Sequence, residues 1–231
     1  TSNGGVFYLM NDLIYKGELA NTQAAKMAYL QQAEMRNTNW FKVLFRPTIQ
    51  SNNSLSLSSG TDKGNYYASL SFLDDPGWTV SDRVRRFTAN MNASYQISKW
   101  LTLNVNTSGS VRNQTAPGTL DRTVDPVNGE YSRDFDINPF SYALNTSRTM
   151  SPDETYIMNY APFNILDESA NNYIDLDMTD MKYQMELNYK PVKGLELSAI
   201  GAFRYVKSTQ EHKIMGESNL AMAYRAAGDA T

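Results

Sequence analysis

Residues 87–111 read FTANMNASYQISKWLTLNVNTSGSV. In the first half Phe87, Ala89, Met91, Ala93, Tyr95 and Ile97 alternate with Thr88, Asn90, Asn92, Ser94 and Gln96. After Ser98-Lys99-Trp100, Leu101, Leu103, Val105 and Val111 alternate with Thr102, Asn104, Asn106, Ser108 and Ser110. A strand sends successive side chains to opposite faces, so each half is a ribbon with one oily and one wet side. The short polar break between them predicts a tight antiparallel hairpin.

The same pattern extends both ways. Strand one is expected at 49–59, with Leu55 and Leu57 set against Ser54, Ser56 and Ser58. Gly60-Thr61-Asp62-Lys63-Gly64 reads as a tight turn in which glycine allows positive φ. Strand two follows at 65–73, with Tyr66, Ala68, Leu70 and Phe72 on one face. A loop at 74–83 holds Pro76-Gly77 and leads into strand three, 84–97; strand four is 101–112. Residues 113–180 carry little period. Strand five, from Met181, has Tyr183, Met185, Leu187 and Tyr189 on its oily side. Pro191-Val192-Lys193-Gly194 turns it into strand six, with Leu195, Leu197, Ala199, Phe203 and Tyr205. Ile200 breaks that alternation, and Gly201 suggests a nearby bend or bulge.

Short turns alternate with long loops, which is how an outer-membrane barrel connects its strands. The expected fold is all-β: an antiparallel up-and-down transmembrane β-barrel segment of about six strands. Turns 60–64, 98–100 and 191–194 would then be periplasmic. Residues 1–48, the loops at 74–83 and 113–180, and the stretch from 207 to 231 would be extracellular. Aromatic rings favour membrane–water boundaries. Tyr66, Tyr95, Trp100 and Tyr189 lie beside the tight turns, while Phe72, Phe87, Tyr183 and Tyr205 lie near the opposite ends, as two interface belts would. A soluble antiparallel sandwich, serving as a carbohydrate-binding or adhesin module, is the structural alternative, because one-sided sheets also alternate.

Within 1–48 one short helix is expected near 22–36, capped by Asn21-Thr22, with Ala20, Ala24, Met27, Ala28 and Leu30 as its buried stripe. Composition narrows the functions. With 21 Lys and Arg against 24 Asp and Glu, no basic surface for nucleic acid is implied. There is no cysteine and His212 is the sole histidine, so thiolate sites, histidine-rich metal clusters and a Ser-His-Asp triad are not expected. No apolar run approaches the roughly 20 residues of a membrane helix, but a barrel strand needs only about 9–11 alternating residues. No P-loop, dinucleotide fingerprint or HExxH is present, and neither an enzyme nor a cofactor is expected. The chain starts at Thr1 with no secretory leader, as a mature, trimmed or partial chain would.

Residues 38–110 carry a more specific signal. Asn53-Ser54-Leu55-Ser56, Gly60-Thr61-Asp62-Lys63 and Tyr66-Tyr67-Ala68-Ser69-Leu70 resemble the early barrel of SusC/RagA-type TonB-dependent outer-membrane transporters. Asn138-Pro139-Phe140-Ser141-Tyr142-Ala143-Leu144 and Pro191-Val192-Lys193-Gly194-Leu195 resemble later parts. Asn39 stands where an acidic residue commonly precedes the tryptophan, and Ser59 where a second glycine is frequent. The resemblance implies a multi-pass protein of the bacterial outer membrane that imports oligosaccharides or other bulky nutrients, peptides in some members. Its implied partners are a SusD-like surface lipoprotein as lid, TonB through a plug region absent from this chain, and outer-membrane lipid.

Long structureless loops usually serve binding, so 113–180 is the functional candidate. Trp78, Tyr131, Phe135 and Tyr142 offer flat rings on which a sugar could stack. Asp175, Asp177 and Asp180 form the densest acidic run. No glycine interrupts it as in a calcium loop, so no metal site is assigned there. Asn90, Asn92, Asn104 and Asn106 form an inward amide row suited to water or a plug.

Overall fold

The computed structural model describes residues 5–118, 122–124, 131–133, 138–158 and 160–226. The strands are β1 (Ser51–Thr61), β2 (Gly64–Asp75), β3 (Arg83–Ser98), β4 (Leu101–Pro117), β5 (Arg122–Val124), β6 (Tyr131–Arg133), β7 (Tyr156–Met158), β8 (Ala161–Phe163), β9 (Asn172–Val192) and β10 (Leu195–Ile214). Six of them form one antiparallel sheet in the order β1-β2-β3-β4-β9-β10. The sheet is open: its first and last strands do not meet.

Register turns the alternation of each ribbon into one face. Leu70 lies between Leu55 and Ala89, and Phe72 faces Phe87. Leu103 and Leu187 pair, Val105 faces Met185, and Tyr183 faces Phe203. The oily side is therefore continuous across all six strands. It is also uncovered: Phe87, Met91 and Leu187 are 47%, 49% and 43% exposed, and Leu103 is half-buried. A sandwich would bury these four between two layers. Among the described residues the other strand pairings, β5 with β6 and β7 with β8, are three-residue hairpins too short to cover the face.

Several boundaries shift. β4 runs to Pro117 and β9 starts at Asn172, so the long connection contracts to 118–171, and β10 continues to Ile214. The oily face ends before the ladder does: on it Thr115 opposes Asp175 and Asn113 opposes Asp177, while in β9 the apolar residues Ile174, Leu176 and Met178 move to the opposite face. The first turn is just Asp62-Lys63, since Gly60 and Thr61 pair with Asn65 and Gly64. Neither glycine there has positive φ. Gly64 is required by proximity instead: a Cβ would lie 2.8 Å from the Ser94 carbonyl oxygen. Gly194, in the third turn, does adopt φ 86°. Gly201 marks no bulge; it pairs in register with Met185, and the irregularities fall beside tight turns, between Gln96 and Ser98 and between Leu195 and Leu197.

The helices are α1 (Val6–Tyr15), α2 (Gln23–Glu34), α3 (Trp40–Leu44), α4 (Pro139–Asn145), α5 (Ile165–Asn171) and α6 (Asn219–Ala226). The Thr22 hydroxyl accepts from the Ala25 amide at 3.3 Å and starts α2 close to the expected place. Its anticipated stripe is not buried: Ala20, Ala24, Met27 and Ala28 are exposed, Leu30 is half-buried, and Ala33 carries the contact. The reason is that α2 lies at the rim of a cap whose dry centre is formed elsewhere. Leu9, Trp40, Leu44, Tyr142, Met150, Tyr156, Phe163, Ile165 and Leu220 form that centre. Trp40 donates its indole N–H to the Ser147 carbonyl at 2.9 Å and meets Tyr142 edge-on at 5.3 Å. The molecule thus keeps its water-excluding core in the helical cap and leaves the sheet without one.

Gly118 joins the two. Its amide donates to the Asn172 carbonyl at 3.0 Å, and an added Cβ would fall 1.9 Å from Asn172 Oδ1 and 2.9 Å from its backbone carbon. Gly118→Ala should destabilise the cap by on the order of 1–3 kcal/mol, the usual cost of overpacking. Near-UV circular dichroism should show the cap melting at lower temperature while the far-UV strand signal persists.

Candidate functional site

The side of the sheet opposite the oily face is a band of amides and hydroxyls. Tyr67, Asn92, Asn106 and Gln184 form one row across β2, β3, β4 and β9, and Ser94, Asn104 and Glu186 another. Asn90 donates to the Ser69 hydroxyl at 3.3 Å. Near the tight turns the sheet curves around a groove of about 660 Å³, lined by Ser58, Tyr67, Asn92, Asn104, Asn106 and Glu186. The amide row expected from sequence is therefore the floor of a concave polar surface.

On the oily face the aromatics fall into two rows. Tyr66, Tyr95, Trp100 and Tyr189 lie beside the tight turns, with Trp100 and Tyr189 edge-to-face at 5.4 Å. Phe72, Phe87, Tyr183 and Tyr205 lie toward the other end, where Phe72 pairs with Phe87. All eight are 38–50% exposed. Eight residues, about 27 Å of antiparallel strand, separate Phe87 from Tyr95.

Past the second row the same outward face becomes charged. Arg83 donates twice to Asp74, at 3.1 and 2.9 Å. Asp175 accepts from Lys213 at 2.7 Å and Thr115 at 2.9 Å, and Asp177 accepts from Asn113 at 2.5 Å. Strand alternation sends Asp180 to the wet face, where Arg204 grips it with bonds of 3.0 and 2.7 Å. The three aspartates do not converge, and no cluster of three or more metal-binding side chains exists among the described residues.

The aromatic candidates separate too. Trp78 is 67% exposed and leans on Phe45 at 5.7 Å. Phe45 stacks on Phe41 at 5.6 Å, and Phe41 meets Phe140 at 5.8 Å, which gives an aromatic patch on the cap surface. Phe41 lies on α3 and Phe45 is the residue that ends it, a four-residue spacing visible in the sequence, but Phe140 reaches them only through the fold. Tyr142 is not available for stacking; it is buried against Trp40 and Phe163. Burial pushes the hydroxyls of Tyr142 and Tyr156 above the ordinary tyrosine range. Tyr131 contributes its backbone to β6, its side chain lies outside what is described, and Phe135 lies outside the described residues.

The seam between cap and sheet is a buried polar knot that periodicity gives no sign of. Glu168 is 2% exposed. One of its oxygens accepts from Asn172 Nδ2 at 2.9 Å, the other from the Asn219 amide at 2.5 Å. Asn219 Nδ2 donates to the carbonyls of Met158, Ala161 and Pro162 at 2.8–3.0 Å. Because Asn172 commits its N–H to Glu168, its oxygen must accept from His212 Nε2, 2.6 Å away. The lone histidine is thereby tied to the cap.

No protein-family model matches the chain, and no curated protein matches it. Solved structures do. A structure of the RagAB peptide importer in the closed-closed state superposes with a TM-score of 0.61 at 19% identity, over 80% of this chain and 21% of that one. A structure of the RagAB peptide transporter gives 0.61 at 20% identity, over 90% and 24%. The fold is like that of the matching part of these RagAB chains. The chain spans about a quarter or less of the chains it matches, and the likeness is one of architecture.

Two outcomes follow from this geometry. Glu168→Gln turns one acceptor into a donor facing a donor, and should cost about 1–3 kcal/mol of cap stability in denaturant melts. The Lys213 hydrogen bond holds the Asp175 carboxyl below its usual range, burial opposes this, and Thr115 adds to the lowering. A lowered folded-state pKa gives stability that is full above the unfolded value, about 3.9, and is lost as pH falls through the folded one. Asp175→Asn should remove that acid-sensitive component, so the loss of stability below pH of about 4 becomes shallower in acid titrations of the upper strands.

Proposed function

We propose that this chain forms part of the wall and mouth of an outer-membrane importer of bulky nutrients, oligosaccharides or peptides. The oily face looks onto lipid, the amide face lines an aqueous interior, the tight turns lie in the periplasm, and the cap stands outside the cell. The observation that carries this reading is the uncovered apolar face, continuous over six strands and bounded by two aromatic rows. Water offers no stable home to such a surface. At the roughly 35–45° tilt of barrel strands, the strand length between the rows rises about 19–22 Å, most of the roughly 25 Å apolar band of outer-membrane barrels. The chain would contribute scaffold and loops and carry out no chemistry; a lipoprotein lid and TonB would act through the remainder of the assembly. The neighbours' description as peptide importers favours a peptide over a glycan.

A lipid-facing residue and its lumen-facing neighbour should differ sharply in tolerance of charge. Met91 lies midway between Phe87 and Tyr95 on the oily face, and Asn92 lies in the groove. Met91→Arg should destabilise the chain folded into vesicles by ~2–4 kcal/mol, the midplane cost, against under ~1 kcal/mol for Asn92→Arg. Urea titration of the vesicle-inserted chain measures both. Equal effects, or cooperative folding with neither lipid nor detergent, would remove the membrane reading.

A further inference from the structure

Every tight turn of the sheet carries a lysine in its two-residue connection: Lys63 after Asp62, Lys99 before Trp100, and Lys193 before Gly194. All three are exposed, and none is ion-paired among the described residues. The fourth lysine at this end, Lys190, is occupied by Glu196 at 3.0 Å. The turns are fixed in place. The Lys63 carbonyl accepts from the Gln96 amide at 2.6 Å, and the Trp100 carbonyl from the Lys190 amide at 2.7 Å, so each of these two turns is locked to the next strand. Consecutive tight turns are two strands apart, which spaces the lysines about 10 Å from one another along the sheet edge. Directly above them lie Tyr66, Tyr95, Trp100 and Tyr189, half-exposed on the oily face. The outward face beyond the other aromatic row differs in balance: Arg83, Arg85 and Lys213 are there neutralised by Asp74 and Asp175, and Lys207 has no ion pair among the described residues.

We propose that the tight-turn edge is a docking surface for anionic phospholipid, each free ammonium pairing with a headgroup phosphate while the neighbouring ring sits among the upper acyl carbons. This rests on the membrane reading above and adds to it a lipid class and a leaflet. Charge complementarity and continuity with the apolar face select the occupant: a cation at the end of a greasy surface meets a phosphate at the level where acyl chains begin. A basic residue near an anionic surface is worth about 1 kcal/mol, or roughly fivefold, so three should enrich local anionic lipid measurably.

Trp100 is a built-in reporter. The whole chain is reconstituted in phosphatidylcholine vesicles containing phosphatidylglycerol as a minor component, with bromine on the acyl chains of one lipid or the other. The Trp100 signal is taken as the difference from Trp100→Phe. Per mole of lipid, brominated phosphatidylglycerol should quench about twofold or more better than brominated phosphatidylcholine, falling to parity in K63Q/K99Q/K193Q. Equal quenching in the unaltered chain, or a preference that survives in the triple variant, overturns the proposal and leaves the membrane reading standing. No quenching by either lipid overturns the membrane reading itself. If the triple variant does not reconstitute, raised salt on the unaltered chain decides: the preference should collapse under screening, and persistence overturns the proposal.

Discussion

The structure depends on the pairing ladder. A backbone can enter hydrocarbon only if its N–H and C=O groups are satisfied within the protein. The five antiparallel pairings of the sheet do this for its interior strands and, in doing so, fix where every side chain points. A one-residue slip in any of them would carry a row of leucine, methionine and tyrosine onto the polar side and asparagine onto the oily one. Register is therefore held by the same two-sided pattern that it displays, and the irregularities are confined to tight-turn ends, where a slip cannot propagate.

Having no core of its own, the sheet leaves water exclusion to the cap. Trp40, Leu44, Met150 and Phe163 pack as in an ordinary soluble protein, and the seam beneath them is polar and closed rather than greasy. Glu168, Asn172 and Asn219 bond to one another and to carbonyls, while Gly118 allows the backbones of β4 and β9 to come close beside them. Such a knot is costly to build halfway, which favours a single seating of the cap on the strands.

How much of this was legible depends on which signal each part leaves. Phe87–Ile97 and Leu101–Val111 announced themselves because one face is apolar and the other is not. Strand continuations through Thr115 and Glu211 did not, since a ribbon polar on both sides has no hydrophobic period even where its hydrogen bonds are complete. In β9 Ile174, Leu176 and Met178 do alternate with Asp175 and Asp177, but in the opposite phase to Met181–Tyr189, so the run does not read as the same ribbon. The capping threonine of α2 was readable; its burial was not, because Ala24 and Ala28 are as compatible with a rim as with a core. Trp78 was a fair candidate for exposure. Tyr142 was not separable from it by type alone, and only packing against Trp40 distinguishes them. The seam required residues scattered over Gly118, Glu168, His212 and Asn219, and no local pattern joins them.

β9 and β10 continue well past Tyr183 and Tyr205. From Tyr183 back to Asn172 is eleven residues, about 36 Å of rigid paired strand. On the membrane reading the cap then rides on a stiff mast rather than lying along the bilayer. A molecule drifting toward the cell would meet aromatic rings and helices well before it met lipid, and any pull on those helices would pass down the mast into the wall without first bending a loop.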